Sequence, residues 1–207
     1  MTTTTSSFSE IKFSVRHHGP LQFEDKAMTE KEFYAFCQDN AELRIERTAQ
    51  GKIIVMPPTT SETGLFNSEI HLELGIWNRK SQLGKTFDSS TGFQLTNGSE
   101  RSPDSAWIIN ERWNALTPEQ KRKFAPIVPD FVLELRSKDQ NLTELREKMD
   151  EYMDCGCHLA WLIDPQNRRT YVYSGNGDIQ TVSFDEVLSG GAVMPGLEVR
   201  LGDLLGI

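Results

Sequence analysis

The run Pro129-Asp130-Phe131-Val132-Leu133-Glu134-Leu135-Arg136-Ser137 sets acids and a base inside an apolar segment. Side chains alternate along a strand with a period of two, so Asp130, Glu134 and Arg136 share one face and Phe131, Leu133 and Leu135 the other. An acid in such a strand is costly to bury without a partner. A divalent metal is a natural partner, since Mg²⁺ takes one or two carboxylates and completes its shell with waters and phosphate oxygens. Asp104, at the head of the apolar stretch Ser105 to Ile109, is the second candidate ligand. Two carboxylates, a metal that activates water and a cation facing the phosphate are the parts needed to hydrolyse a phosphodiester.

The cation has two candidates. Arg136 stays charged but cannot relay a proton, and its fork binds phosphate differently from an ammonium. Lys148 lies on a helix expected from Leu142 to about Asp154, where Leu145, Lys148 and Tyr152 follow i, i+3, i+7 spacing and so share the inward stripe. The competing reading pairs Lys148 with Glu144 on a solvated face. Bland readings also stand beside the acids. Asp104 and Asp130 each follow a proline, so turn roles compete with ligation; for Asp130 the turn role is preferred to direct ligation, with a supporting role at the site as the alternative. Ser137 is a candidate for capping or orienting the site. Glu69, four residues before Glu73, and Glu46, ahead of a hairpin turn, are accessory acids or ordinary solvated positions.

The elements that must hold these groups follow from pattern. Thr29-Glu30-Lys31-Glu32 is a capping box opening a helix to about Asp39. Leu43 to Glu46 and Lys52 to Met56 flank Ala49-Gln50-Gly51 as a hairpin. Residues 63 to 81 form a long helix that Gly84 closes. Strands are expected near Ile11 to Val15, at Phe87 and Phe93 to Leu95, and at 105–109, 131–135, 158–164, 169–173 and 179–182, with a short helix at Thr117-Pro118. The last twenty residues are expected to pack on a sheet edge. A polar tail over 1–9 followed by one domain over 10–207, with its core at about 63–175, accommodates this order. The class is α/β (α+β), a mixed sheet flanked by helices.

The totals narrow the function. Lys and Arg number 22 against 30 Asp and Glu, a net charge of −8, which argues against a broad basic surface for nucleic acid. Three cysteines are an odd count, and Cys155-Gly-Cys157 is too tightly spaced for an ordinary disulfide or a zinc knuckle, so they read as reduced thiols; four histidines show no zinc spacing. No signal peptide or apolar span is visible, so a cytoplasmic location is expected.

Pro103-Asp104 followed by Glu134-Leu135-Arg136 resembles the two halves of the PD-(D/E)XK nuclease signature. The longer series, Pro129 to Ser137, then Leu145-Arg146-Glu147-Lys148-Met149 with Tyr152 and Gly156, then Trp161-Leu162-Ile163-Asp164-Pro165, is similar to a bacterial family of putative restriction endonucleases, a branch of that superfamily long carried as a domain of unknown function. The likeness spans about 28–205. It implies a restriction-endonuclease-like core carrying an N-terminal helix and hairpin, and a Mg²⁺-dependent endonuclease (Mn²⁺ serving as well) acting on DNA. Asp104 and Glu134 would hold the metal, and Lys148 would take the place of the signature lysine, where the chain has Arg136. The alternative is a catalytically silent nuclease-fold module binding nucleic acid or a protein; RNA or a junction is a further substrate class. Duplex cleavage would favour a homodimer.

Overall fold

A computed structural model of the chain describes residues 21–24 and 28–207; the expected strand at 11–15 and the tail at 1–9 lie outside them. The strands are β1 (Leu21–Glu24), β2 (Arg44–Arg47), β3 (Lys52–Met56), β4 (Gly84–Asp88), β5 (Phe93–Gln94), β6 (Glu100–Arg101), β7 (Ser105–Ile109), β8 (Phe131–Leu135), β9 (Leu159–Asp164), β10 (Arg169–Ser174), β11 (Ile179–Ser183), β12 (Leu188–Ser189) and β13 (Glu198–Val199). The helices are α1 (Glu30–Asp39), α2 (Ser61–Ser81), α3 (Asn110–Ala115), α4 (Pro118–Lys121), α5 (Leu142–Asp154) and α6 (Leu201–Leu205).

Two sheets organise the molecule. The larger has the order β11-β10-β9-β8-β7-β4, and the smaller β1-β3-β2-β6-β5. All pairings in the larger sheet are antiparallel except β8 with β9, which α5 connects as a crossover. This is the mixed sheet with flanking helices that the sequence pattern implied. The central strands β8 and β9 are buried along their whole length, as expected where both faces are covered.

Each face of that sheet has its own core. On one side Phe66, Ile70, Leu74 and Trp77 of α2 meet Phe131, Leu133, Leu135 and Trp161, and Leu197, Val199, Leu201 and Leu205 close the layer. The C-terminal segment therefore lies under the sheet face rather than at its edge. On the other side Leu145, Met149 and Tyr152 of α5 pack on Ala106, Ile108, Val132, Ala160 and Leu162. Burying one such side chain contributes roughly 1.5–3 kcal/mol, enough to hold α5 in a fixed rotation. Leu145, Met149 and Tyr152 are spaced i, i+4, i+7, and that stripe turns Lys148 inward with them.

The N-terminal helix and hairpin make a smaller core of Phe33, Ile45 and Ile53. The Thr29 capping box forms in both directions, with Glu32 Oε2 accepting from the Thr29 N–H at 2.8 Å. Helix α2 ends differently from expectation. Gln82 caps it in the left-handed conformation, and Gly84 instead opens β4, where a Cβ would lie 2.3 Å from the Ile108 carbonyl oxygen. Only a residue without a side chain permits that approach.

Candidate active site

Seven charged side chains interlock where the hairpin, the start of β7, the end of β8 and α5 meet. Lys148 is at their centre. Its Nζ lies 2.7 Å from Glu134 Oε1 and 2.9 Å from Glu46 Oε1, with its side chain only 12% exposed. It neither snorkels outward nor pairs with Glu144. The Tyr152 hydroxyl, one turn along α5, donates to Glu134 Oε1 at 3.1 Å. Asp104 joins through the backbone: its Oδ2 accepts from the Leu135 N–H at 2.9 Å, and its Oδ1 pairs with Arg44 at 3.0 Å. The carboxylate that opens β7 is thereby tied to the residue after Glu134 on the neighbouring strand.

Three further members were not singled out by sequence reasoning. Arg101 on β6 bridges Glu46 Oε2 at 3.2 Å and Glu151 of α5 at 2.5 Å, and the Ser102 N–H donates to Glu46 Oε1 at 2.9 Å. Arg44 and Glu46 sit two apart on β2 and so point to one side. That alternation was the available signal for Arg44. Arg101 and Glu151 carried no comparable one, because β6 is two residues long and Glu151 looks like any charge on an amphipathic helix. Glu46 is not an ordinary solvated position: it is buried and touches both Lys148 and Arg101.

The other candidates lie elsewhere. Asp130 shares the face of Glu134 but sits at the opposite end of β8, roughly 13 Å away at about 3.3 Å per residue. It accepts from the Ile109 N–H at 2.9 Å and pairs with Arg112 at 2.7 Å and His158 at 3.1 Å, a structural tie. Arg136 turns to the buried Asp164 at 3.0 Å and donates to the Gln140 carbonyl, so its charge is taken up outside the cluster. Ser137 bonds through its backbone to Gln140 and Gln166, outside the cluster. Glu69 sits half-buried on α2, which covers the other face of the sheet, and no bond joins it to the cluster among the described residues.

Burial and charge set the electrostatics. Burial pushes the Glu134 carboxyl up to about 7, Lys148 pulls it down, and Asp104 and Glu46 add to the rise. Burial also works to raise Glu46, but Lys148, Arg101 and Arg44 outweigh it and hold that carboxyl at about 2. Lys148 loses by burial but gains more from Glu134 and Glu46, so its ammonium is held above the ordinary lysine range. Burial, then Glu134 and Glu46, drives the Tyr152 phenol well up. With Glu134 protonated, the acids Glu46, Asp104 and Glu151 balance the bases Arg44, Arg101 and Lys148. One proton therefore separates a neutral cluster from one carrying a net negative charge.

The donors suit a hard cation in kind, since all are carboxylate oxygens. Among the described residues, no three acids, histidines or cysteines stand together as a ready-made metal cage. A groove of about 1170 Å³ runs past the cluster between the hairpin and α5, and Glu46, Arg101, Lys148 and Glu151 of the cluster line it. Its lining carries eight carboxylates against three basic groups, so its walls repel an unneutralised nucleic-acid backbone. No helix among the described residues is long and apolar enough to cross a membrane.

Comparison with known proteins agrees with this architecture. No curated protein matches the chain. Among solved structures, a "putative nuclease belonging to DUF820 from Anabaena variabilis" superposes with a TM-score of 0.67 at 20% identity, over 80% of this chain and 91% of that one. At that identity the likeness establishes a shared fold. The profile of the Uma2 family, described as "Putative restriction endonuclease", matches residues 30–202, and the chain therefore belongs to that family.

Proposed function

We propose that the protein is a Mg²⁺-dependent endonuclease that hydrolyses DNA phosphodiester bonds at the Asp104–Glu134–Lys148 cluster. The observation that carries this reading is Lys148, an inward ammonium shared between Glu134 and Glu46 and almost closed off from solvent. A buried lysine held against two acids beside a third at a groove is hard to explain by stability alone. Replacing such a network with apolar residues is often neutral or stabilising.

Asp104 and Glu134 would hold the metal, with waters and the substrate phosphate completing its shell. The metal, when bound, would supply Lewis acidity and lower the pKa of a water. The chain's own residues do the rest. Lys148, passing from Glu134 toward the phosphate, presents its Nζ to the charge that grows on the phosphoryl oxygens. Glu46, anchored by Arg101 and the Ser102 N–H, keeps hold of the ammonium so that it pivots without leaving. Tyr152 steadies Glu134 through its hydroxyl. Arg44 neutralises Asp104 until a metal takes over that charge. Occupancy of the metal site and release of the two cations are thus linked.

The experiment is cleavage of duplex and single-stranded DNA with and without Mg²⁺ or Mn²⁺, by the wild type and by Asp104→Asn, Glu134→Gln and Lys148→Met. Loss of about 10²–10³-fold or more in each folded variant is expected. Unchanged cleavage would remove the reading. The acidic lining of the groove favours a second reading, a silent nuclease-fold module that takes a basic protein segment there. It requires metal-independent binding that survives Glu134→Gln.

A further inference from the structure

Helix α2 turns Thr63, Phe66, Ile70, Leu74 and Trp77 into the core. At about 100° per residue the face diametrically opposite carries Gly64, Leu65, Ser68, Leu72, Gly75 and Arg79. Leu65 is 57% exposed and Leu72 51% exposed. Single exposed leucines need no explanation, but these two stand seven residues apart on one stripe, with small residues alongside. Glycine is the poorest helix former after proline, yet the fold does not require either glycine. A Cβ at Gly75 would meet nothing within 4 Å, and one at Gly64 would come no nearer than 3.8 Å to Thr59. A helix face of leucines beside glycines suits the close approach of another backbone.

The charges say which backbone. Glu62 and Glu69 flank the stripe in its N-terminal part, and Arg79 and Lys80 end the helix. None of the four makes a hydrogen bond or ion pair among the described residues. Glu62, Arg79 and Lys80 also suit the helix dipole, whereas Glu69 lies too far along the helix for that role. A two-fold axis needs a patch complementary to itself. With two copies of α2 antiparallel and crossing at Leu72, Arg79 and Lys80 of one copy fall between Glu62 and Glu69 of the other. Leu72 then packs on its own copy at the axis, and Leu65 lies against the aliphatic stem of the other copy's Arg79.

We infer that the outward face of α2 is a docking surface for a second copy of this chain, paired antiparallel about Leu72. The inference does not depend on the nuclease reading. α2 covers the sheet face opposite Glu134, so the two grooves of such a pair lie on its outer sides and neither copy completes the other's site.

Sedimentation equilibrium of the full chain tests this. A dimer is expected, with its dissociation constant raised about 100-fold or more by Leu72→Glu, which sets like charges together at the axis. Glu62→Lys with Glu69→Lys should weaken it, and adding Arg79→Glu with Lys80→Glu should restore it, because the swap recreates complementarity only in an antiparallel pair. Should Leu72→Glu fail to fold, Gly75→Arg replaces it, since that side chain meets open space in the single chain and blocks only a close approach. A wild type that is monomeric at high micromolar concentration overturns the inference. So does a dimer indifferent to these changes, or a surface covered by any other partner.

Discussion

Lys148 stays an ammonium while burial pushes the Glu134 carboxyl up to about 7, so their substitutions should behave asymmetrically. Lys148→Met leaves Glu46 and Glu134 facing each other in the interior, and removing one member of a buried pair costs about 3–5 kcal/mol. Because Asp104 and Glu134 would carry the metal, Mg²⁺ should restore part of that loss. Urea unfolding with and without Mg²⁺ measures it, and a variant as stable as wild type, or one untouched by Mg²⁺, would speak against a metal at these acids. Glu46 gives a pH signature. Its carboxyl lies at about 2 against an ordinary 4.5, so the unfolded chain binds the proton first as pH falls. The stability it contributes is full above 4.5 and lost on the way down to about 2. Glu134, pushed up to about 7, has the opposite sign: its contribution is full below 4.5 and falls as pH rises through 7. In the acid window Glu134 is already protonated in the fold, so Glu46→Gln should flatten the wild-type loss of stability between pH 4.5 and 2. An acid limb of unchanged slope would contradict the assignment.

At the scale of elements, what was legible tracked periodicity. The strands at 105–109 and 131–135 and the helices at 30–39 and 142–154 follow from alternation, capping and stripe, and the inward rotation of Lys148 follows from the spacing of Leu145 and Tyr152. Pairing between distant segments was not legible. Glu46 and Arg44 reach the cluster only because β2 pairs with β6, which returns Arg101 to them, and no local pattern encodes that contact. Arg136 sat on the right face, but Asp164, brought alongside by the parallel β8–β9 ladder, takes its charge. Gly84 was legible as a break and not as the start of a strand pressed against Ile108. Gly84→Ala should therefore cost about 1–3 kcal/mol through forced displacement at the β4–β7 edge, read from the denaturant midpoint; a neutral effect would mean that β4 shifts without penalty. Arg101→Ala, which removes the bridge between Glu46 and Glu151, should loosen the hairpin from α5 and raise amide exchange in β2 and β3 more than in β8 and β9.

Across the whole molecule, the larger sheet separates two tasks. One face is sealed by α2 and the C-terminal segment, and the other carries α5 and the acidic cluster beside the groove. The small hairpin sheet, which sequence treats as an appendage, supplies one wall of that groove and three of the charged groups, Arg44, Glu46 and Arg101. A net charge of −8 and a carboxylate-rich groove mean that a nucleic-acid strand enters against repulsion unless cations accompany it. Divalent metal should therefore strengthen DNA binding even where no cutting follows. The most direct measurement is calorimetric titration of Mn²⁺ into the wild type and into Glu134→Gln, each alone and with a short DNA oligonucleotide. Saturable binding by the wild type that is lost in Glu134→Gln is the expected result. Equal binding by both proteins, or none by the wild type even with DNA present, would contradict a metal centre at Asp104 and Glu134.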